Sequence, residues 1–517
     1  MKASSLAPVL VAMAVLTGSG AVHAEAGEGV DAVYQRLCAQ CHGPDRLGGV
    51  GPALIPQTLG RLKPDDAKHA ILEGRPASQM PAFAGLVDDG MAARLTALIF
   101  EPPAEPPLWP LEKVRASHRV LVDPATLPAR PVHQADPLNL FVVVELGDHH
   151  ATVLDGDRLE PIHRFPTHNA LHGGPKFSPD GRFVYFASRN GWVSKFDLYS
   201  LQSVAEVRAG INTRNLAVSG DGRYVAVANY LPHTLVLLDA RDLSPIELIP
   251  VEDGKGKSSR VSAVYSAPPR QSFVAALKDI PEVWEIRHAD AAEHDGPQGE
   301  GRGEGRGPFP VRRVALDDYL DDFFFDASYR LVLGAARNAK NGQVVDLDAG
   351  ERIADLELDG MPHLGSGITW EHEGRTVLAT PHIDKPEVSV IDMETWRTIK
   401  RIETLGPGFF MRSHEGTPYA WVDVYFGEHK DAVHVIDKRT LEIVETLRPS
   451  PGKTAAHVEL DRYGRYALLS VSEAAPDGAL VIYDASSLRE VKRLPMNKPS
   501  GKYNVHNKIT RSAGTSH

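Results

Sequence analysis

The sequence predicts a small all-α domain followed by an all-β, eight-bladed propeller. Three observations predict this: a Cys-x-x-Cys-His string framed by short helical stretches within the first hundred residues, a strand–turn–strand unit that returns over the remaining length, and aspartates that close successive units at a near-constant interval. With 517 residues the chain exceeds what one ordinary core organises, so at least two domains are expected. Apolar residues at 42% and charged residues at 24% place it among globular rather than disordered chains.

Taken in order, Lys2 precedes an apolar run from Leu6 to Leu16, and Val22 and Ala24 stand three and one positions before a plausible cut after Ala24. Residues 1–24 therefore read as an export signal, with the mature chain starting at Glu25 in the periplasm. A membrane anchor is the alternative, but the run is shorter than the ~20 residues a spanning helix requires, and no later segment could span. The net charge of −11, one unit more negative once Lys2 leaves, argues against a nucleic-acid partner and is compatible with a basic electron-transfer partner. Export permits disulfides, yet only two cysteines are present, so no disulfide framework is available.

Cys38-Ala39-Gln40-Cys41-His42 is the pattern of covalent haem c attachment, in which both thiols form thioethers and the imidazole ligates iron. A zinc site would need more ligands of this spacing, and a redox-active C-x-x-C pair leaves His42 unexplained. Residues 30–37 can form the entering amphipathic helix, and Pro52 opens a loop over the haem. Met80 stands in Gln79-Met80-Pro81-Ala82-Phe83, ahead of a helical stretch at 88–100. This resembles the class I cytochrome c pattern, where the methionine of such a loop is the second axial ligand. The resemblance implies His42 and Met80 as the haem c iron ligands, with His69 as the rival sixth ligand. His/Met ligation suits electron transfer rather than oxygen binding. The cytochrome c domain is expected over 25–104 and a linker over 105–136, beginning in the Pro-rich stretch 101–110.

From 137 to 517 the text repeats. One unit reads Ser178-Pro-Asp-Gly181-Arg-Phe-Val-Tyr-Phe-Ala-Ser and then Trp192-Val-Ser-Lys-Phe-Asp197; another reads Ser219-Gly-Asp-Gly222-Arg-Tyr-Val-Ala-Val-Ala-Asn and then Leu235-Val-Leu-Leu-Asp239. Each is a D-G turn, an apolar β-rich strand, a polar turn and a strand ending in Asp. Asp346, Asp392, Asp437 and Asp484 are 46, 45 and 47 residues apart, which matches four-stranded blades around an axis. Weaker copies near Phe141 and Phe273 bring the count to eight. Asp239 and Asp346 are 107 residues apart; Gly/Arg/Glu-rich text at about 289–310 accounts for the surplus as a flexible surface insertion. Its charges alternate in sign, unlike a nucleic-acid-binding segment.

A propeller alone says little about chemistry. His172-Gly-Gly-Pro-Lys-Phe-Ser-Pro-Asp-Gly, Ser188-Arg189-Asn190-Gly191, Gly210-Ile-Asn-Thr-Arg214-Asn, Asn229-Tyr230 and Pro499-Ser-Gly-Lys-Tyr503-Asn-Val505 resemble cytochrome cd1, whose propeller binds the non-covalent haem d1, over almost the whole chain. The resemblance implies a haem d1-type propeller with His172 as proximal iron ligand and Tyr230 and Tyr503 as pocket contacts. Arg189 and Arg214 suit the carboxylates of the tetrapyrrole, or else form salt bridges between blades. In the nitrite reductases of that family two distal histidines protonate bound nitrite. One matches His363 in Met361-Pro-His363-Leu-Gly-Ser-Gly; the other aligns with Asp321 in Tyr319-Leu-Asp321-Asp322-Phe.

The broken pair and the shorter cytochrome domain are similar instead to the related dihydro-haem d1 dehydrogenases. These remove two hydrogens from a propionate side chain of the tetrapyrrole and leave the acrylate of haem d1. That resemblance implies haem d1 or dihydro-haem d1 as product and substrate, and haem c as electron acceptor. It also implies another protein, such as a cytochrome, to reoxidise haem c, and a transient contact with cytochrome cd1 nitrite reductase. His457, in Lys453-Thr-Ala-Ala-His457-Val, is the candidate second iron ligand, or else a solvent-facing histidine at a strand start. His363 is the candidate base, since histidine is the side chain most readily poised for proton transfer near neutral pH; Tyr425 and His414 are weaker alternatives. NO-forming nitrite reduction and a non-catalytic haem d1 carrier remain as other readings.

Overall fold

The computed structural model describes residues 28–49, 51–60, 62–74, 80–288, 308–335 and 341–510. The expected export signal and most of the expected insertion lie outside the described residues. In the N-terminal domain α1 (Val30–Leu37) leads into α2 (Ala39–His42), followed by α3 (Pro56–Leu59), α4 (Pro64–Glu73) and α5 (Asp89–Phe100). Proline at the first position of α3 and α4 supplies a preset φ where an N–H has no helical partner anyway. Asp88 caps α5 by accepting the N–H of Met91 at 2.6 Å. Val33, Tyr34, Ile71, Val87, Met91 and Leu95 form the core these helices share.

Beyond it, eight antiparallel sheets form the blades, seven of four strands and one of five. The strands that begin blades 3 and 4, Asn212–Val218 and Val261–Ala267, touch each other, as do the strand that begins blade 8, Ala455–Leu460, and Pro499–Asn504. These are therefore the inner strands around the central channel. In blade 1 the inner strand comes from the far end of the chain: Pro499–Asn504 pairs with Leu140–Glu145, Val142 opposite Tyr503. Helix α7 (Val505–Thr510) follows and packs on blade 1 and on the inner strand of blade 2.

The periodic aspartates have a common job. The Oδ1 atoms of Asp155, Asp197, Asp239, Asp346, Asp392, Asp437 and Asp484 each accept the N–H two residues on, an Asx turn that opens the hairpin into the outer strand. Four residues after each, Leu159, Leu201, Leu243, Gly350, Trp396, Leu441 and Leu488 donate an N–H back to the aspartate's carbonyl. All seven adopt a left-handed backbone, φ between 57° and 73°. Blade 4 breaks the rule because its third strand, Glu282–Arg287, ends in Arg rather than Asp, and this is why the spacing lapses between Asp239 and Asp346.

The stretch 105–136, expected as a linker, is built into the propeller. It carries α6 (Leu111–Ser117), whose Val114 is buried in the apolar cluster of blades 2 and 3. Arg119–Val120 then adds a fifth strand to the outer edge of blade 2. No helix among the described residues is long and apolar enough to cross a membrane.

Candidate functional site

Cys38 ends α1 and Cys41 lies on α2, and the Cys38 carbonyl accepts the N–H of both Cys41 (3.1 Å) and His42 (2.9 Å). One turn thus presents two thiols and an imidazole. Burial, helped by the neighbouring Cys41, pushes the Cys38 thiol up to about 11, whereas a dithiol redox centre needs a lowered one. The Nδ1 of His42 lies 2.8 Å from the Pro52 carbonyl. A carbonyl only accepts, so Nδ1 carries the hydrogen and Nε2 keeps a lone pair for a metal. Burial holds this imidazole neutral. A Cβ at Gly51 would stand 2.7 Å from the His42 ring, so glycine lets the loop close beneath it. Met80 packs against the cluster of Tyr34, Val87 and Met91 beside Cys38, whereas His69 is exposed on α4. These residues fit a covalent haem c, and no group of three or more His, Cys, Asp or Glu that could hold a metal ion occurs among the described residues.

In the propeller, most of the named residues gather at one end of the inner strands. His172 precedes the inner strand of blade 2, and its Nδ1 lies 2.7 Å from the Arg214 carbonyl. By the same reasoning Nε2 carries the lone pair, and Arg189 Nη2 lies 2.9 Å from it. The Arg214 guanidinium flanks the same ring at 3.0 Å from Nδ1 and 3.4 Å from Nε2; with the hydrogen on Nδ1, only the longer approach can be a hydrogen bond. Burial works against the charge on Arg214, but the fields of Tyr230 and Asp322 more than offset it. Tyr230 lies under the guanidinium groups of Arg189 and Arg260.

His363 precedes the inner strand of blade 6. Its Nδ1 is 2.9 Å from Ser366 Oγ and 2.5 Å from the Phe409 carbonyl, and its ring stacks on Phe409 at 3.9 Å. Its Nε2 is 3.8 Å from Asp322, a carboxylate held by the Tyr265 hydroxyl (2.5 Å) and the Gly365 N–H (3.1 Å). Burial lowers the His363 pKa, Asp322 and the Phe409 carbonyl oppose that shift, and Arg214 and Arg412 add to it. The charges of Arg214, from the His172 cluster, and of Asp322 both act on this ring. Asp321, which the alignment set opposite His363, instead pairs with Lys278. The carboxylate beside His363 is its neighbour, because adjacent residues at a strand start point to opposite sides.

His457 does not face solvent. It sits on the inner strand of blade 8, 1% exposed, at a bulge between Ala456 and Val458, with φ 53°. Neither ring nitrogen has a hydrogen-bond partner, and burial, then Lys502 and Arg412, hold the imidazole neutral. Phe410 and Tyr503 pack on it at 4.6 and 5.1 Å, and burial raises the Tyr503 phenol. Asp423, raised to about 6 by burial, accepts the N–H groups of Phe409, Phe410 and His457 and so fixes that wall. Tyr425 belongs to the same aromatic group, 5.5 Å from Phe409. His414 does not: it follows the inner strand Met411–Ser413 of blade 7 at the opposite end. There its Nδ1 accepts the Gly416 N–H and its Nε2 lies 3.1 Å from the Arg462 carbonyl. It is a turn-holding residue, which corrects its reading as a base or pocket contact.

One connection had no counterpart in the sequence reading. The buried Arg208 donates to the carbonyls of Leu47, Gly48 (3.1 Å) and Asn190 (3.0 Å), and its guanidinium lies 4.3 Å from the Trp109 ring. Leu47, Ala53 and Ile55 pack on Ile211 beside it. The loop after His42 is thereby bolted to the 188–191 turn, whose Arg189 reaches His172.

The family model described as Cytochrome D1 heme domain matches residues 135–508. The chain belongs to the cytochrome D1 heme domain family. A second model, Cytochrome C oxidase, cbb3-type, subunit III, matches residues 25–99 ahead of the D1 heme domain. Within the family, the chain is 59% identical over 495 residues to the dihydro-heme d1 dehydrogenase of Pseudomonas aeruginosa, covering 96% of this chain and 97% of that one. A solved structure of the dihydro-heme d1 dehydrogenase NirN in complex with DHE superposes with a TM-score of 0.87 at 59% identity, covering 93% of this chain and 99% of that one. Protein NirF of Pseudomonas aeruginosa is 30% identical over 379 residues, 71% of this chain and 91% of its own length.

Proposed function

We propose that the protein oxidises dihydro-haem d1 to haem d1 in haem d1 biosynthesis. The observation that carries this reading is the near-full-length identity to a dihydro-heme d1 dehydrogenase, and the pocket chemistry supports it. His172 offers Nε2 to the tetrapyrrole iron once Arg189 swings aside, and His457, with two unpartnered ring nitrogens in a buried wall, offers the second ligand. Arg189 and Arg214 pair with substrate carboxylates, and Tyr230, Tyr425 and Tyr503 line the macrocycle.

His363 is the base. With its hydrogen on Nδ1 directed at Phe409, Nε2 takes a proton from the propionate side chain, and Asp322 stabilises the imidazolium that forms. Converting CH2–CH2 to CH=CH releases two protons and two electrons; the second proton passes to solvent. Cys38, Cys41, His42 and Met80 would hold haem c, which would accept one electron at a time, so the two electrons of each turnover would require its reoxidation once by a further protein such as another cytochrome, or a second acceptor. Export by residues 1–24 puts this chemistry in the periplasm, where a transient contact with cytochrome cd1 nitrite reductase would pass on the product.

The test is to mix oxidised protein with dihydro-haem d1 and follow the visible spectrum. Conversion to haem d1 with haem c reduction is expected. Rapid NO formation from nitrite without conversion would make the protein a nitrite reductase, and binding without turnover would make it a carrier.

A further inference from the structure

The backbone around His457 departs from the ladder it belongs to. On the inner strand of blade 8 the pairing runs from Ala456 opposite Ser470 to Val458 opposite Leu469 and skips His457. This is the two-against-one step of a β-bulge, a device that re-aims a side chain beside a functional site. A left-handed residue at such a bulge is ordinarily glycine, yet here it is a histidine at φ 53°. Its N–H donates to Asp423 Oδ2 at 2.9 Å, and its carbonyl accepts from Lys502 Nζ. Lys502 also donates to the Ala456 carbonyl at 3.2 Å and to Ser470 Oγ at 2.8 Å. It is fully buried and reaches blade 8 from Pro499–Asn504, the strand that closes blade 1. Tyr503, next along that strand, meets the His457 ring. Burial takes Lys502 well below the ordinary lysine value, and a neutral amine still keeps the two hydrogens that the Ala456 and His457 carbonyls require.

We propose that Lys502 is a positioning residue for the tetrapyrrole pocket: with Asp423 it clamps both peptide units that flank His457 and so aims the imidazole against Phe410 and Tyr503. The inference rests on the reading of His457 as a tetrapyrrole contact. One clamp meets two physical requirements. Taken out of the ladder, the N–H and carbonyl of a buried residue need other partners, and buried side chains from blades 7 and 1 supply them. A left-handed histidine also persists only where its surroundings over-determine it, and a clamp on its N–H and on two consecutive carbonyls does so. The ring contacts with Phe410 and Tyr503 fix the imidazole, and the clamp fixes the backbone that presents it.

Haem c-loaded Lys502→Met, His457→Gly and the double variant are compared with wild type by spectral titration with dihydro-haem d1, and Lys502→Met also by crystallography. Lys502→Met should bind roughly 10–100-fold more weakly, the range for disturbing the support of a metal site, with His457 outside the left-handed region in its structure. In the His457→Gly background the same change should leave affinity within about twofold, because no ring remains to be aimed. Equal weakening in both backgrounds, wild-type affinity of Lys502→Met beside a weakened His457→Gly, or an unmoved His457 in the crystal would overturn the clamp. Wild-type affinity of His457→Gly would instead overturn the reading of His457, and the crystal structure would then decide the clamp by itself. If Lys502→Met does not fold, the double variant decides, since glycine takes φ 53° without a Cβ penalty. Folding regained in the double variant supports the clamp; failure of both overturns it, because Lys502 would then hold the blades together rather than His457.

Discussion

His457 is held in a left-handed backbone that costs a non-glycine residue about 1–2 kcal/mol, and such strain persists where the surroundings over-determine it. His457→Gly should therefore fold, with an unchanged haem c spectrum, and bind dihydro-haem d1 roughly 10–100-fold more weakly, the range for disturbing a metal site; spectral titration reads this directly. In its proposed role as the base, His363 would act only when neutral. Its pKa lies below the ordinary histidine value of about 6.5, so the rate should stay flat as pH falls through about 6.5 and decline only below it. Asp322→Asn removes the field that raises this pKa. Its acidic limb should move to still lower pH while the plateau rate falls, which a pH–rate profile checks. Of these residues His172, His363 and His457 stand in motifs that single them out in the sequence. Asp322 was not, because Asp321 and Asp322 are chemically alike and only the phase of the strand decides which faces His363. Asp423 was hidden similarly, since its work is done on backbone N–H groups that no motif records.

The hairpins show the same repeat doing unequal work. Asp197 is buried and paired with Arg182 at 2.8 Å while accepting the N–H groups of Tyr199 and Ser200. Asp484, without an ion pair among the described residues, accepts those of Ser486 and Ser487. Asp197→Ala should lower stability by about 3 kcal/mol, as for a broken buried pair, and Asp484→Ala by about 1 kcal/mol, as for lost hydrogen bonds; urea midpoints of the two variants check the order. The blade count was legible because these aspartates recur. The integration of α6 was not, since a seven-residue helix has no copy elsewhere to reveal it. Arg208 joins the elements: Arg208→Met should keep haem c content and substrate affinity but slow reduction of haem c by bound substrate about ten- to hundredfold, the scale for a displacement near 1 Å. Single-turnover mixing separates that outcome from a binding defect.

At the scale of the molecule, the ring is closed by chain that arrives last. Deleting residues 499–517 removes the inner strand of blade 1 and leaves Leu140–Glu145 with an unpaired edge. The truncated chain should lose the cooperative unfolding transition of the propeller while the haem c domain remains spectrally intact, as thermal scans at a β-sheet and a haem wavelength would show. The two-domain plan was the most legible feature of all, because haem attachment and blade repetition each leave a mark in local sequence. The same closing strand also brings Tyr503 against His457. A chain made from its N-terminus exposes Cys38, Cys41 and His42 more than 450 residues before Pro499 appears. The Cys-x-x-Cys-His site can thus emerge on a nascent chain well before the wall that Tyr503 makes against His457 exists. The residues for covalent haem attachment therefore precede the strand that completes the pocket in the order of synthesis.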